Sequence, residues 1–156
     1  MVGIGYDIHR LESGQSLILG GIRIESEIGT VAHSDGDVLI HSIIDALLGA
    51  ASLGDIGDYF PDSDSKYKGI ASTELLIIVN RMLGENKLRI INIDATVVLE
   101  KPKLSSYKLL IKNNLAQILS ISANQINIKA TTNEKLDSIG NSNSIAVFST
   151  CQLVAE

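Results

Sequence analysis

The three histidines and the aspartates near them in sequence are the side chains best able to do chemistry in this chain. Asp7 and His9 stand two apart in Val2 to His9, a run that predicts a strand, and the period of two projects both onto one face. There they form either a metal-binding pair or a solvent-facing pair at a strand end. His41 falls inside an apolar helical stretch, with Asp37 and Asp45 one turn away on either side of the same stripe. It is either a core histidine hydrogen-bonded to a helix carboxylate or the third member of an Asp/His/His set. Such a set holds zinc through two imidazoles and a carboxylate and leaves a fourth tetrahedral position open, the arrangement of a catalytic site.

Other segments offer groups for an anion. His33-Ser34-Asp35-Gly36-Asp37 lies at the start of the helix that carries His41, where free backbone N–H groups and the helix dipole favour negative charge, or where the segment simply caps the helix. Lys129 to Lys135 ends a strand with the hydroxyls of Thr131 and Thr132, which can donate to a phosphate. Glu134 follows, able to hold Mg²⁺ or Mn²⁺ between phosphates; the alternative is a strand-to-turn segment with solvated charges. Lys101-Pro102-Lys103 is an exposed turn or a clamp that neutralises phosphate. Between Gly54 and Gly69 runs a loop dense in Asp, Gly and Ser, a length and polarity usual for functional loops.

These groups need elements to hold them. Val2 to His9 and Ser16 to Ile24 read as two strands that pair antiparallel, with Gly20-Gly21 as a bulge or bend. Val38, Ile40, Ile44, Leu47, Leu48 and Ala51 recur at helical spacing, with Ser34, Asp35 or Asp37 as cap and Gly54 as stop. Ser72 caps a second helix to about Leu83, Leu88 to Leu99 is a strand, and Ser105 or Ser106 opens a third helix to about Leu119. Ile126 to Thr131 and Ile145 to Val154 are the last strands, joined by an Asn/Ser/Gly-rich turn. The order β-β-α-α-β-α-β-β predicts an α+β fold, a mixed β-sheet with helices packed on one face, in one domain spanning 1–156.

Composition narrows the function. A formal net charge of −5, from 13 basic and 18 acidic side chains, argues against a nucleic-acid partner, which needs clustered Lys and Arg. The single cysteine, Cys151, can form no internal disulfide and reads as a small buried hydrophobe. No stretch approaches the roughly 18 apolar residues of a membrane span. The expectation is a cytoplasmic protein with no membrane partner, a plastid-type organelle reached by a removed transit peptide staying open.

Taken in order, Gly5-Tyr6-Asp7-Ile8-His9, Ala32 to Val38 running on to His41, Asp45 to Ala51, Leu53 to Gly57, Phe60-Pro61-Asp62, Pro102-Lys103 and Lys129 to Leu136 resemble the 2-C-methyl-D-erythritol 2,4-cyclodiphosphate synthase family of isoprenoid precursor biosynthesis. The resemblance implies a homotrimer with active sites between neighbouring subunits. It implies a phosphorus-oxygen lyase acting on a small cytidine diphosphate substrate, 4-diphosphocytidyl-2-C-methyl-D-erythritol 2-phosphate. The 2-phosphate attacks the β-phosphate, CMP leaves and the cyclic diphosphate forms. Carried over by position, Asp7, His9 and His41 are the zinc ligands, with Ile8 between them at the substrate. His33 and Ser34 hold phosphate oxygens, and His33 stabilises the transition state with Thr132. Asp55, Ile56 and Gly57 contact the erythritol part, and Phe60, Pro61, Asp62, Ser63 and Asp64 close over it. Leu99, Glu100, Lys101, Pro102, Lys103, Leu104 and Ser105 cradle cytosine. Thr131, Thr132 and Asn133 take the diphosphate, and Glu134 the Mg²⁺ or Mn²⁺.

The departures from the family pattern cluster. Asn141 stands where a phosphate-contacting arginine is expected, Ser138 replaces an aromatic residue and Asn143 a glutamate. Asn lacks the bidentate, charged contact of Arg, so weaker diphosphate binding is expected while the zinc chemistry is kept. Two other readings of the residues are a zinc hydrolase, with Asp45 or Asp55 as base, and a non-catalytic trimeric module with a closed four-ligand metal.

Overall fold

The computed structural model describes residues 1–32, 34–61 and 69–156. The elements in chain order are β1 (Val2–Ser13), β2 (Leu17–Leu19), β3 (Ile22–Ile24), β4 (Ile28–Thr30), α1 (Val38–Ala51), α2 (Ile56–Tyr59), α3 (Ser72–Glu85), β5 (Leu88–Val98), α4 (Lys108–Leu119), β6 (Ile126–Thr131), α5 (Asp137–Gly140) and β7 (Ser144–Ala155). Five strands form one sheet in the order β4-β1-β7-β5-β6. Only β5 and β6 run parallel, because α4 carries the chain back between them; β1–β4, β1–β7 and β5–β7 are antiparallel. The sheet is mixed, and the fold is α+β as expected.

Alternation decides which face the helices cover. In β1 the side of Gly3, Gly5, Asp7, His9 and Leu11 is turned inward, whereas Val2, Ile4, Tyr6 and Ile8 on the other side are 44–74% exposed. In β7, Ile145, Val147, Ser149, Cys151 and Leu153 are buried, and Phe148 between them is 47% exposed. Cys151 is thus the buried strand residue its solitude predicted. α1 lies on the inward face with ten of its residues buried, Ile40, Ile43, Ile44, Leu47 and Leu48 completely. Each such side chain contributes about 1.5–3 kcal/mol relative to exposure, which is what holds the helix on the sheet.

Several expected boundaries differ. Ser16 to Ile24 is a hairpin of two three-residue strands, β2 and β3, that pair with each other in a separate sheet rather than with β1. Gly20 and Gly21 form its turn, with φ of +61° and +74°, the two left-handed residues such a turn requires. β1 pairs instead with β4 on one edge, through Leu11–Thr30 to Ser13–Ile28, and with β7 on the other, through Val2–Gln152 to Arg10–Ser144. α1 is capped by Asp37 and ends at Ala51, three residues before Gly54; Ser52 turns left-handed and the Ser52 and Leu53 N–H groups return to Gly49 and Leu48. Ser72 is the first residue inside α3 rather than its cap, α4 starts at Lys108, and the Asn/Ser/Gly-rich turn contains α5.

Candidate functional site

The inward face of β1 and the outer turn of α1 meet at Asp7, His9 and His41 because β1 carries glycine where the helix crosses it. A Cβ on Gly3 would fall 2.0 Å from the Ala46 carbonyl oxygen, and one on Gly5 1.9 Å from that of Ser42. The backbone contact sets α1 directly on the strand, one turn along from the two ligand-type residues. Asp7 Oδ2 then lies 3.2 Å from His9 Nε2 and 3.2 Å from His41 Nδ1, and the two ring nitrogens are 3.4 Å apart.

That triangle fits a metal ion. A tetrahedral zinc with bonds of about 2.0 Å sets its ligand atoms about 3.3 Å from one another. The donor chemistry agrees, two imidazoles and one carboxylate oxygen, and this is a cluster of potential metal ligands among the described residues. Hydrogen bonds alone serve the trio poorly, since two ring nitrogens and a carboxylate oxygen all point at one place. Asp7 Oδ1 accepts the Ile8 N–H at 2.8 Å, leaving Oδ2 for the centre. The three side chains are 16–24% exposed, open on one side to a ligand.

Electrostatics separate the two histidines. Burial lowers the His9 pKa, partly offset by the Asp7 charge, and His41 lowers it further. For His41 burial is also the largest influence and acts downward, yet the hydrogen bond and charge of Asp7, with Asp37 and Asp35 behind, outweigh it and leave the pKa raised. Neither helix carboxylate bonds the His41 ring. Asp37 is fully buried and accepts N–H groups from Gly20, Gly21 and Ile40 at 2.9, 2.6 and 3.0 Å, and burial raises its pKa to about 6. Of the two readings of this helix start, Asp37 takes the capping one by accepting the Ile40 N–H, and Ser34 ahead of it accepts the Gly36 N–H. His33 lies outside the described residues.

Asp45 Oδ1 accepts the Ile56 N–H at 2.9 Å and anchors the Asp55-Ile56-Gly57 turn to α1. Burial raises its pKa, the Ile56 bond opposes this, and Asp55 and Asp7 add to the rise. Asp55 and Asp58 form a reciprocal capping box around α2. Phe60 is 8% exposed and belongs to the core, its ring 6.3 Å from that of Tyr59, while Pro61 is exposed. Asp62, Ser63 and Asp64 lie outside the described residues.

The remaining predicted residues gather where β5 and β6 end together. Val98 is in register with Thr131, the Leu99 N–H donates to Thr131 O at 2.9 Å, and the Asn133 N–H donates to Glu100 Oε2 at 3.2 Å. The parallel pairing therefore sets Leu99–Ser105 beside Thr131–Glu134. Leu99 and Leu104 are buried, Lys101 and Lys103 exposed, and Lys101 and Pro102 border a cavity of about 470 Å³ shared with Glu25, Glu27 and Ile28. Thr132 Oγ1 donates to Glu134 Oε1 at 3.3 Å, and Glu134 is left-handed at φ +52°. The row Asp7–Val147–Val97–Ala130 crosses three strand spacings, so this second cluster stands about 14 Å across the sheet from the first.

Of two residues read as helix caps, Ser72 touches the first cluster and Asp35 touches Ser72. Ser72 Oγ is 2.9 Å from His41 Nε2, and Asp35 Oδ1 is 2.5 Å from Ser72 Oγ. No local pattern pairs positions 37 residues apart, so nothing in the sequence marks this contact.

The chain resembles known proteins over nearly its whole length. A 2-C-methyl-D-erythritol 2,4-cyclodiphosphate synthase of Clostridium novyi is 53% identical over 150 residues, 96% of each chain. The bifunctional IspDF from Campylobacter jejuni superposes with a TM-score of 0.95 at 43% identity, over 99% of this chain and 42% of that longer one. A CDP complex of Plasmodium falciparum IspF superposes with a TM-score of 0.88 at 34% identity, over 99% of this chain and 96% of that one. Residues 1–154 match the YgbB family, and the chain belongs to it.

Proposed function

We propose that this chain is a 2-C-methyl-D-erythritol 2,4-cyclodiphosphate synthase of isoprenoid precursor biosynthesis, converting 4-diphosphocytidyl-2-C-methyl-D-erythritol 2-phosphate to the cyclic diphosphate and CMP. The observation that carries the reading is the triangle of Asp7, His9 and His41, with sides of 3.2, 3.2 and 3.4 Å, in a chain with near full-length relatives of that name. Asp7, His9 and His41 would hold zinc and Glu134 would hold Mg²⁺ or Mn²⁺; when bound, these ions would supply positive charge against the diphosphate and the departing CMP.

The chain's own groups position the substrate. A 2-phosphate oxygen forms the new bond to the β-phosphorus while the bond from that phosphorus to the CMP-side bridging oxygen breaks, so no protein nucleophile is required. Asp55, with Ile56 and Gly57 anchored by Asp45, orients the erythritol part. Phe60 anchors the start of the following segment in the core, and Pro61, Asp62, Ser63 and Asp64 are the residues that would meet it from above. Ser34 and His33 hold phosphate oxygens, and the Thr131 and Thr132 hydroxyls meet the diphosphate, His33 and Thr132 acting where charge builds in the transition state. Leu99–Ser105 with Lys103 takes the cytosine; the bound CDP of the Plasmodium falciparum relative supports a cytidine ligand.

The functional unit in this reading is a homotrimer. The separation of about 14 Å between the two clusters supports a site shared between copies, one giving the metal half and its neighbour the nucleotide half. The uncovered sheet face with Val2, Ile4, Tyr6, Ile8 and Phe148 exposed supports the same conclusion, as an apolar surface that further copies of the chain would bury. Incubation with the diphosphocytidyl substrate, followed by phosphorus NMR, tests the function. CMP and a cyclic diphosphate are expected, and they disappear when a zinc chelator is added. A linear hydrolysis product, or no CMP with zinc present, would overturn it.

A further inference from the structure

We infer that Ser72 and Asp35 are positioning residues that fix the His41 ring in the tautomer able to ligate a metal. This deepens the metal-dependent reading above and rests on it. The reasoning is a count of protons. The Ser72 hydroxyl has one, and two polar neighbours lie within reach, Asp35 Oδ1 at 2.5 Å and His41 Nε2 at 2.9 Å. A carboxylate can only accept, so the hydroxyl proton goes to Asp35. Ser72 Oγ then accepts, and His41 Nε2 must carry the N–H that donates to it. In the neutral ring Nδ1 then keeps its lone pair, the Nδ1–H that donates to Asp7 belonging to the imidazolium form alone, and Nδ1 is the atom that faces Asp7 Oδ2 and His9 Nε2. A hydrogen bond on one ring nitrogen thereby selects the other as ligand.

Asp35 is itself held. Its Oδ2 accepts the Ser72 N–H at 2.9 Å, and its Oδ1 also accepts the Asp37 N–H at 3.2 Å. Ser72 is completely buried at the first turn of α3, and Asp35 stands just ahead of α1. The relay thus runs from the start of one helix through the start of another to the ring of His41. Without the Ser72 hydroxyl, the Nε2–H would be left facing a buried gap with no acceptor from that side chain.

Zinc affinity is measured by competition with a chelating dye for the wild type, Ser72→Ala and Ser72→Thr, alongside the thermal midpoint of each zinc-free protein. Ser72→Ala is expected to bind zinc 10–100-fold more weakly, as the loss of such an outer partner typically does, while Ser72→Thr, which keeps the hydroxyl, recovers most of that loss. A second measurement needs no variant: long-range ¹H–¹⁵N NMR of the zinc-free wild type at about pH 9, above the imidazole range, should show His41 protonated at Nε2. An Nδ1–H tautomer there, or a Ser72→Ala affinity within about threefold of wild type, would overturn the inference. A wild type that binds no zinc would instead overturn the metal-dependent reading from which the inference starts.

Discussion

Gly5 packs against Ser42 backbone to backbone: a Cβ at Gly5 would lie 1.9 Å from the Ser42 carbonyl oxygen. His41 is the next residue back along α1, so the contact that seats the helix also sets the distance from its ring to Asp7. Gly5→Ala must push α1 off the strand, because the obstacle is backbone and cannot rotate away. A loss of stability of about 3 kcal/mol is expected, at the upper end of overpacking costs, together with a loss of zinc affinity. Denaturant unfolding and zinc titration of the same variant check both.

Asp37 gives the fold a pH dependence of known sign. Its pKa is raised from an ordinary value of 3.8 to about 6 by burial, so the folded chain holds a proton that the unfolded chain releases. The stabilisation is complete below about pH 4 and is lost as pH rises through about 6, amounting to about 3 kcal/mol at 1.36 kcal/mol per unit. Asp37→Asn removes this change. Relative to wild type, the variant should therefore gain stability between pH 4 and 7, measured by urea unfolding with a chelator present to keep the histidine cluster free of metal.

Metal binding should stabilise the folded chain by mass action. At a zinc concentration about 100 times the Kd, the gain is about 2.7 kcal/mol, visible as a rise in thermal midpoint. Asp7→Asn withdraws the negative charge at one corner of the triangle and should abolish the rise, leaving the zinc-free midpoint within a few degrees of wild type because Asp7 is partly exposed. A Lys103→Ala control, far across the sheet, should keep the full response.

Asn141 is exposed at the end of α5, where its side-chain amide donates to Asp137 O at 2.7 Å. An arginine has room there and would restore a charged donor to the diphosphate side. Asn141→Arg should lower KM for the diphosphocytidyl substrate about tenfold, the worth of one charge-assisted hydrogen bond, with kcat little changed. Steady-state CMP release provides the comparison, and equal KM values would show that no contact is missing.

The parts of the fold readable in the sequence are those with long or regular patterns. Asp7 and His9 share a face because strand alternation is strict, and His41 lies on an apolar stripe long enough to predict α1. β2, β3 and β4 have three residues each, too few for a period to show, so in the sequence the hairpin reads as one strand and the edge partner β4 leaves no signal. α5 follows left-handed Glu134 and Lys135 and opens on left-handed Asp137, a backbone path no propensity favours. The contact from Asp35 to Ser72 depends on how α1 and α3 pack, information held by the whole core rather than by either segment.

β1 alternates between two duties. Asp7 and His9 point to the helix side while Tyr6 and Ile8 point to the bare side, and Tyr6 pairs with Phe148 across the strand gap at 4.9 Å between ring centroids. Sliding this strand by one residue would exchange the two sets, setting tyrosine and isoleucine against the helix and the ligand pair on the open surface. A point substitution in β1 can damage one duty and spare the other, but a one-residue insertion or deletion upstream of Asp7 within the paired segment damages both. Length in this strand is therefore under tighter constraint than the identity of any one of its exposed side chains.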